Sequence, residues 1–216
     1  VIGFAESQDY SVEVLVVDNA STDRTSAIVR DTARNHPSLR LLAQPVRGKG
    51  AAVRMGMLEC TGQYRFICDA DLAMPIEQLA RFVPPDLADY DVAIASREVP
   101  GARRFGEPLL RHVMGRVFNS IVRAVAVPGI QDTQCGFKCF TASAAEDIFA
   151  HQIIDGWAFD VEVLHIAQLR GYRIAEVPID WYYGEGSRVR PLRDSWNMVQ
   201  EVVRVRRNGR RGLYAP

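Results

Sequence analysis

No stretch of this 216-residue chain approaches the roughly 18 consecutive apolar residues that a membrane span needs, so no transmembrane helix is expected. The opening residues lack the basic, apolar and small-residue succession of a signal peptide. Net charge is absent too. The 26 basic and 26 acidic residues cancel, which argues against a wholesale nucleic-acid binder while leaving local patches open. Cysteine is scarce. Cys60, Cys68, Cys135 and Cys139 include no Cys-x-x-Cys pair, so zinc is not expected, and the thiols read as reduced, buried groups of a cytoplasmic protein. No Gly-x-Gly-x-x-Gly occurs, which disfavours a dinucleotide cofactor. Repeats and low-complexity linkers are missing. What remains is a soluble globular composition, enough for one domain with a full core.

What is present is alternation. Apolar runs at Glu13–Val17, Leu39–Ala43, Tyr64–Cys68 and Asp91–Ser96 read as strands. Between them Asp23–Asn35, Gly50–Cys60 and Ile76–Phe82 read as helices, with Ser21 or Thr22 as a cap for the first and Pro75 near the start of the third. Strands separated by helices imply parallel pairing and an α/β sandwich. Further on, Leu109–Val127 reads as a long helix, Cys135–Thr141 as a strand, Ala142–Phe149 and Phe159–Gly171 as helices, Arg173–Val177 as a strand, and Pro191–Arg207 as a closing helix. One mixed sheet fits this order better than two domains. At 100° per residue, Leu110, Val113, Met114, Val117, Phe118, Ile121, Val122 and Val125 share one broad face of the long helix, opposite His112, Arg116, Asn119, Ser120 and Arg123. Such a helix either packs on a sheet or lies in a membrane interface.

The chemistry gathers at expected strand ends. Phe66-Ile67-Cys68-Asp69-Ala70-Asp71 is an apolar run closing on two carboxylates one residue apart. Alternate strand residues share a face, and ligands of an open α/β sheet bind at the carboxyl ends of its strands. Two hard oxygen ligands suit Mg²⁺ or Mn²⁺, usually with a phosphate-bearing substrate. Asp18 ends another strand and is placed to accept from a nucleotide base or ribose, or to cap a helix. Gly48-Lys49-Gly50 sets a cation at a helix start, where free N–H groups favour an anion. It is not a Walker A loop, because Gly50 holds the Ser/Thr position. Arg97 follows its strand directly, and Arg103 and Arg104 come close behind, a grouping that suits a second phosphate. Asp132-Thr133-Gln134-Cys135-Gly136-Phe137-Lys138 and Trp157-Ala158-Phe159-Asp160 read, on physics alone, as ordered loops.

Val17-Asp18-Asn19-Ala20-Ser21-Thr22-Asp23, Gly48-Lys49-Gly50, Asp69-Ala70-Asp71 and Ser96-Arg97 stand in the order seen in inverting family 2 glycosyltransferases of the GT-A fold. Asp132 to Lys138, Trp157 to Asp160 and Glu162-Val163-Leu164 resemble the subgroup of dolichyl-phosphate β-glucosyltransferases and their polyprenyl-phosphate relatives. The resemblance runs over about residues 12–190. It implies an α/β GT-A fold, a mixed and mostly parallel sheet sandwiched by helices, forming a single catalytic domain. Residues 12–100 would form the nucleotide-sugar half, 101–190 the acceptor half, and 191–216 a closing helix and basic tail.

By the resemblance, Asp18 and Asn19 would bind the nucleobase and Lys49 the nucleotide region. Asp69 and Asp71 would hold ribose, Mg²⁺ or Mn²⁺, and diphosphate. Arg97, with Arg103, Arg104 and Lys138, would meet the acceptor phosphate, and Asp132 and Gln134 would line the sugar pocket. The implied donor is UDP-glucose before GDP-mannose, the acceptor a polyprenyl phosphate, and the location peripheral, on the inner face of a membrane, with no nucleic-acid partner. There are departures. The family's opening strand, of the type Val-Ile-Pro-x-Tyr-Asn-Glu, has no counterpart, and Val1–Tyr10 reads as the tail of the helix after it. Asn19 replaces the commoner Asp, and Ala73 stands where mannosyl-transferring relatives often carry a third metal ligand. The carboxyl-terminal membrane helices of some relatives have no counterpart either. A polysaccharide-type transferase with a sugar-hydroxyl acceptor, using Asp132 or Asp160 as base, stays open. So do a phosphohydrolase built on Asp69 and Asp71, and a degenerate nucleotide-binding module.

Overall fold

β-Branched and aromatic residues are frequent in most of the strands, the leucine-based Leu39–Ala43 excepted. The computed structural model describes residues 1–184 and 191–215; residues 185–190 of the expected acceptor half lie outside them. In chain order come α1 (Ile2–Glu6), β1 (Val14–Asp18), α2 (Thr25–Ala33), β2 (Leu39–Ala43), α3 (Lys49–Glu59) and β3 (Tyr64–Cys68). A 3₁₀ segment at Ile76–Phe82 precedes β4 (Val92–Ser96), β5 (Arg103–Phe105), α4 (Leu109–Val125) and β6 (Phe137–Thr141). Last are α5 (Ala142–His151), α6 (Phe159–Leu169), β7 (Ile174–Pro178), β8 (Asp180–Tyr182) and α7 (Pro191–Arg210). The short parallel pair of β5 with β8 had no periodic signal, since three residues are too few to show one. The expected cap of α2 is corrected: neither Ser21 nor Thr22 caps it. Asp23 instead accepts from the backbone of Thr25 at 2.9 Å, as in an Asx turn.

The single mixed sheet is also corrected. Strands β3-β6-β4-β7 form one sheet, while β1-β2 and β5-β8 stand apart as pairs. In the large sheet β4 runs parallel to β7, and β6 is inserted antiparallel between β3 and β4. β1 and β2 pair in parallel. Among the described residues no ladder joins β1 to β3. One side chain ties their amino ends instead: Glu13 Oε1 accepts from the Thr61 hydroxyl at 3.0 Å and from the Gly62 N–H at 3.1 Å.

The core lies on the two faces of the large sheet. Val92 and Ile94 of β4 and Phe140 of β6 pack with α5 and α6 on one face. Ala93, Ala95, Phe137 and Cys139 pack with Phe82 and Tyr90 on the other. All five residues of β4 are buried, as expected of a strand covered on both faces. The first βαβ unit is different. No residue of Val14–Val17 is fully buried, and α2 buries none. At the far end α7 continues to Arg210, and the chain folds back so that the wholly buried Tyr214 donates its hydroxyl to Glu162 at 2.6 Å. The basic tail is thus docked rather than loose.

Candidate active site

Asp69 and Asp71 leave the end of β3 in a tight turn, with Leu72 N–H donating to the Asp69 carbonyl at 3.2 Å. Asp71 is exposed and, among the described residues, accepts only from its own turn, at Ala73 N, 3.2 Å. Asp69 is engaged: Lys49 Nζ lies 2.8 Å from its Oδ1. On its other side a Cβ at Gly136 would overlap the Asp69 carboxylate, so that glycine is where the Asp132–Phe137 loop closes against β3. Lys49 is the first residue of α3, and its ammonium is held by Asp69. The ammonium also sits 5.4 Å from the Trp157 ring centroid and 5.7 Å from that of Phe159. Burial acts to lower the Lys49 pKa, but Asp160, Asp69 and Asp71 together raise it. It stays a fixed cation at neutral pH.

The glycines around Lys49 have a packing reason that sequence reasoning missed. A Cβ on Gly48 would overlap the Asp155 carbonyl, and one on Gly50 the Ile154 carbonyl and Phe159. The loop from Gln152 to Ala158 lies directly on this turn. Ala51 N–H donates to the Asp155 carbonyl at 3.2 Å, and Gln152 Nε2 to the Gly50 carbonyl at 2.9 Å. From beneath, Glu162 accepts from the N–H groups of Ile153 and Ile154 at 3.1 and 2.7 Å, and Glu201 from that of Ala158 at 3.2 Å.

Asp18 closes β1 and accepts from Ser21 N–H at 3.2 Å and from the Ser26 hydroxyl. Hydrogen bonds from Ser21 and Ser26 hold its pKa below the ordinary value, so it is an acceptor only. Asn19 braces the loop before α3, donating to the Val46 carbonyl at 2.6 Å and accepting from Gly48 N–H at 2.8 Å. These contacts run from Asp18 through Asn19 and Gly48 to Lys49, Asp69 and Trp157.

The residues expected at the acceptor phosphate are placed differently. Arg97 and Asp132 meet, but in each other's grip: Nε to Oδ2 is 2.7 Å, Nη2 to Oδ1 is 3.0 Å, and the Arg97 N–H adds a third bond at 3.0 Å. Burial pushes the Asp132 carboxyl up, but the Arg97 charge and hydrogen bonds outweigh it and bring the carboxyl to about 2. The Arg97 guanidinium stacks 5.3 Å from the Trp181 centroid. Gln134 is half-buried beside this pair, its N–H donating to Asp132 at 3.3 Å. Arg103 is paired with Asp180 at 2.7 and 2.6 Å, and Arg104 with Glu98 and with Glu107. Lys138 is wholly buried and donates to Asp160 and to the Cys135 carbonyl. The expected contact between Lys138 and an acceptor phosphate is corrected: its ammonium is wholly buried and held by Asp160 and the Cys135 carbonyl. The carboxylates that claim Arg97, Arg103 and Lys138 come from distant segments, which no local spacing reveals, whereas Glu98 and Glu107 lie close to Arg104 in the chain.

The carboxylates fit a hard divalent ion in one respect. Asp71 offers a solvent-facing carboxylate beside Asp69, and an Mg²⁺-like ion takes one or two carboxylates, leaving its other positions to waters and substrate phosphates. Among the described residues no group of three or more His, Cys, Asp or Glu side chains gathers to hold a metal, so a complete protein cage is not what this site supplies. Burial pushes the Cys135 and Cys139 thiols up to about 12, which leaves them inert, as expected; Cys60 and Cys68 are only half-buried.

The chain is related to known proteins in sequence and in shape. The chain is 39% identical over 184 residues to a dolichyl-phosphate β-glucosyltransferase of Trichomonas vaginalis, covering 82% of this chain and 55% of that protein. It is 35% identical over 206 residues to the dolichyl-phosphate β-glucosyltransferase of Dictyostelium discoideum, covering 91% and 63%. The chain thus spans 55% and 63% of the length of these two relatives. In shape it resembles glucosyl-3-phosphoglycerate synthase of Mycobacterium tuberculosis, crystallised with Mn²⁺, UDP-glucose and phosphoglyceric acid, with a TM-score of 0.61 at 16% identity over 94% of this chain and 70% of that one. The fold is the α/β GT-A fold. The model for glycosyl transferase family 2 matches residues 4–149, and with it the chain belongs to that family.

Proposed function

We propose that this chain is the catalytic domain of an inverting, metal-dependent glucosyltransferase that moves glucose from UDP-glucose to a dolichyl or other polyprenyl phosphate. The observation that carries the acceptor class is the state of the two carboxylates nearest the site's far side. A sugar-hydroxyl acceptor needs a general base. Asp132 is locked onto Arg97 and Asp160 onto Lys138, each nearly devoid of exposed surface. A phosphate monoester, with its second pKa near 6, arrives already ionised and needs no base. The names of the curated relatives and the UDP-glucose in the glucosyl-3-phosphoglycerate synthase structure support the same donor and acceptor.

In this reading Asp18 accepts from the uracil or ribose. Lys49 and the start of α3 favour the diphosphate, and Asp69 and Asp71 hold Mg²⁺ or Mn²⁺. The ion, when bound, offsets charge that builds on the leaving diphosphate. Arg97 works through Asp132: the pair fixes the Asp132–Phe137 loop against β4, with the Arg97 side chain 21% exposed.

The lipid acceptor calls for a membrane surface. Among the described residues no helix is long and apolar enough to cross a membrane. α4, however, turns much of its apolar face outward, with Leu109 77%, Leu110 73% and Val117 58% exposed. Only Val122 is fully buried, and Phe118 and Val125 pack partly on the core. Arg204, Arg207 and Arg210 are exposed on α7, which packs against α4. An apolar stripe flanked by arginines suits the inner face of an anionic bilayer.

The test is turnover with radiolabelled UDP-glucose and dolichyl phosphate, read as labelled lipid. Transfer to lipid phosphate and none to free sugars supports the proposal; transfer to a sugar hydroxyl overturns it. Thermal shifts test the base, since a ligand at 100 times its Kd adds about 2.7 kcal/mol. A shift with UDP and none with GDP is expected.

A further inference from the structure

Trp157 is 47% exposed, unusual for so large an apolar side chain, yet its loop is rigidly held. The backbone before it is fixed by Glu162 through Ile153 and Ile154, and the backbone after it by Glu201 through Ala158. A tethered loop with an open indole is a surface built to be touched. One side of the ring is occupied by Lys49 Nζ at 5.4 Å. That ammonium is bonded to Asp69 at 2.8 Å, so the indole stands beside the carboxylates. Trp157 also lies at the end of the contact series that begins at Asp18. A nucleotide diphosphate sugar with its base at Asp18 and its diphosphate at Lys49, Asp69 and Asp71 has only its hexose left to place.

We propose that the exposed indole of Trp157 is the platform for the transferred hexose and selects a pyranose with equatorial ring hydroxyls, an inference that rests on the donor reading above. The electron-rich face of an indole attracts positively polarised groups, and the C–H face of such a pyranose is flat and weakly positive. An axial hydroxyl, as at C4 of galactose, interrupts that face. Phe159 lies wholly buried beneath Lys49 and cannot serve the same purpose.

The experiment is calorimetric titration of the full chain in Mn²⁺ buffer with UDP, UDP-glucose and UDP-galactose, for the unaltered protein, Trp157→Phe and Trp157→Ala. Loss of an aromatic contact is expected to weaken UDP-glucose binding roughly three- to tenfold in Trp157→Ala. UDP affinity should stay unchanged, and the glucose-over-galactose preference should collapse. Trp157→Phe, which keeps a ring, should retain most of that preference. Equal losses for UDP and UDP-glucose, or no change in either, overturn the proposal and leave the donor reading standing. Failure of the unaltered protein to bind any uridine nucleotide overturns both.

Discussion

A buried ion pair is least tolerant of losing one partner. Arg97→Ala leaves the Asp132 carboxylate, 4% exposed, without its cation. We expect a loss of about 3–5 kcal/mol of stability, read by denaturant titration. Removing both partners together should recover part of it, a coupling that a double-mutant cycle measures. The pair also sets an acid limit. The Asp132 pKa is 3.8 ordinarily and about 2 in the fold. A depressed carboxyl contributes stability that is full above the unfolded value and lost as pH falls through the folded one. Stability should therefore drop by about 2 kcal/mol between pH ~4 and ~2, and Asp132→Asn should flatten that window. In the proposed reaction Asp71 bears on catalysis instead. It is exposed and, among the described residues, makes one turn hydrogen bond, so Asp71→Asn should fold normally. Turnover should fall on the order of a hundredfold, comparable to losing a preorganised electrostatic group, and full activity in EDTA would sink the metal assignment.

Helix α4 is where pattern and packing diverge. Its periodicity was legible and its bounds nearly so, at Leu109–Val125 against an expected 109–127. Which face is covered was not legible, because amphipathicity states only that one side avoids water. Asn119, on the polar arc, points inward to the Gln131 carbonyl and Thr133, while Val117 and Ile121 face out. Leu110→Glu and Val117→Glu should change stability within about 0.5 kcal/mol, as exposed substitutions do. Sedimentation with anionic liposomes should fall sharply in both. High salt should release the unaltered protein in part, since surface charge is screened within about 10 Å at 0.1 M. Equal recovery of protein and variants in the pellet would count against α4 as the docking face.

Across the whole molecule, packing is uneven. β4 and β6 lie at the centre of two cores, whereas β1, α2 and β2 contribute to neither. Amide exchange should therefore be fast in Val14–Asp18 and slow in Val92–Ser96, since opening free energy follows buried contact; equal protection would refute this. The sequence showed the parts better than their assembly. Tyr64–Cys68 and Leu39–Ala43 match the observed strands residue for residue, because short apolar runs between turn residues carry their own signal. Asp18, Lys49 and Asp69 were legible as strand-end and helix-start groups. The Lys138–Asp160 and Arg97–Asp132 pairs were not, since each joins segments more than 20 residues apart and pairing at that distance leaves no periodic trace.

The bracing of the Trp157 loop has a consequence for the timing of synthesis. Ala158 waits for Glu201, and Glu162 for Tyr214. At ~5–20 residues per second, the loop is made seconds before the side chains that fix it. A nascent chain that already presents Asp69 and Asp71 still lacks a settled Trp157 loop, which is complete only after residues 201–214 have emerged and docked.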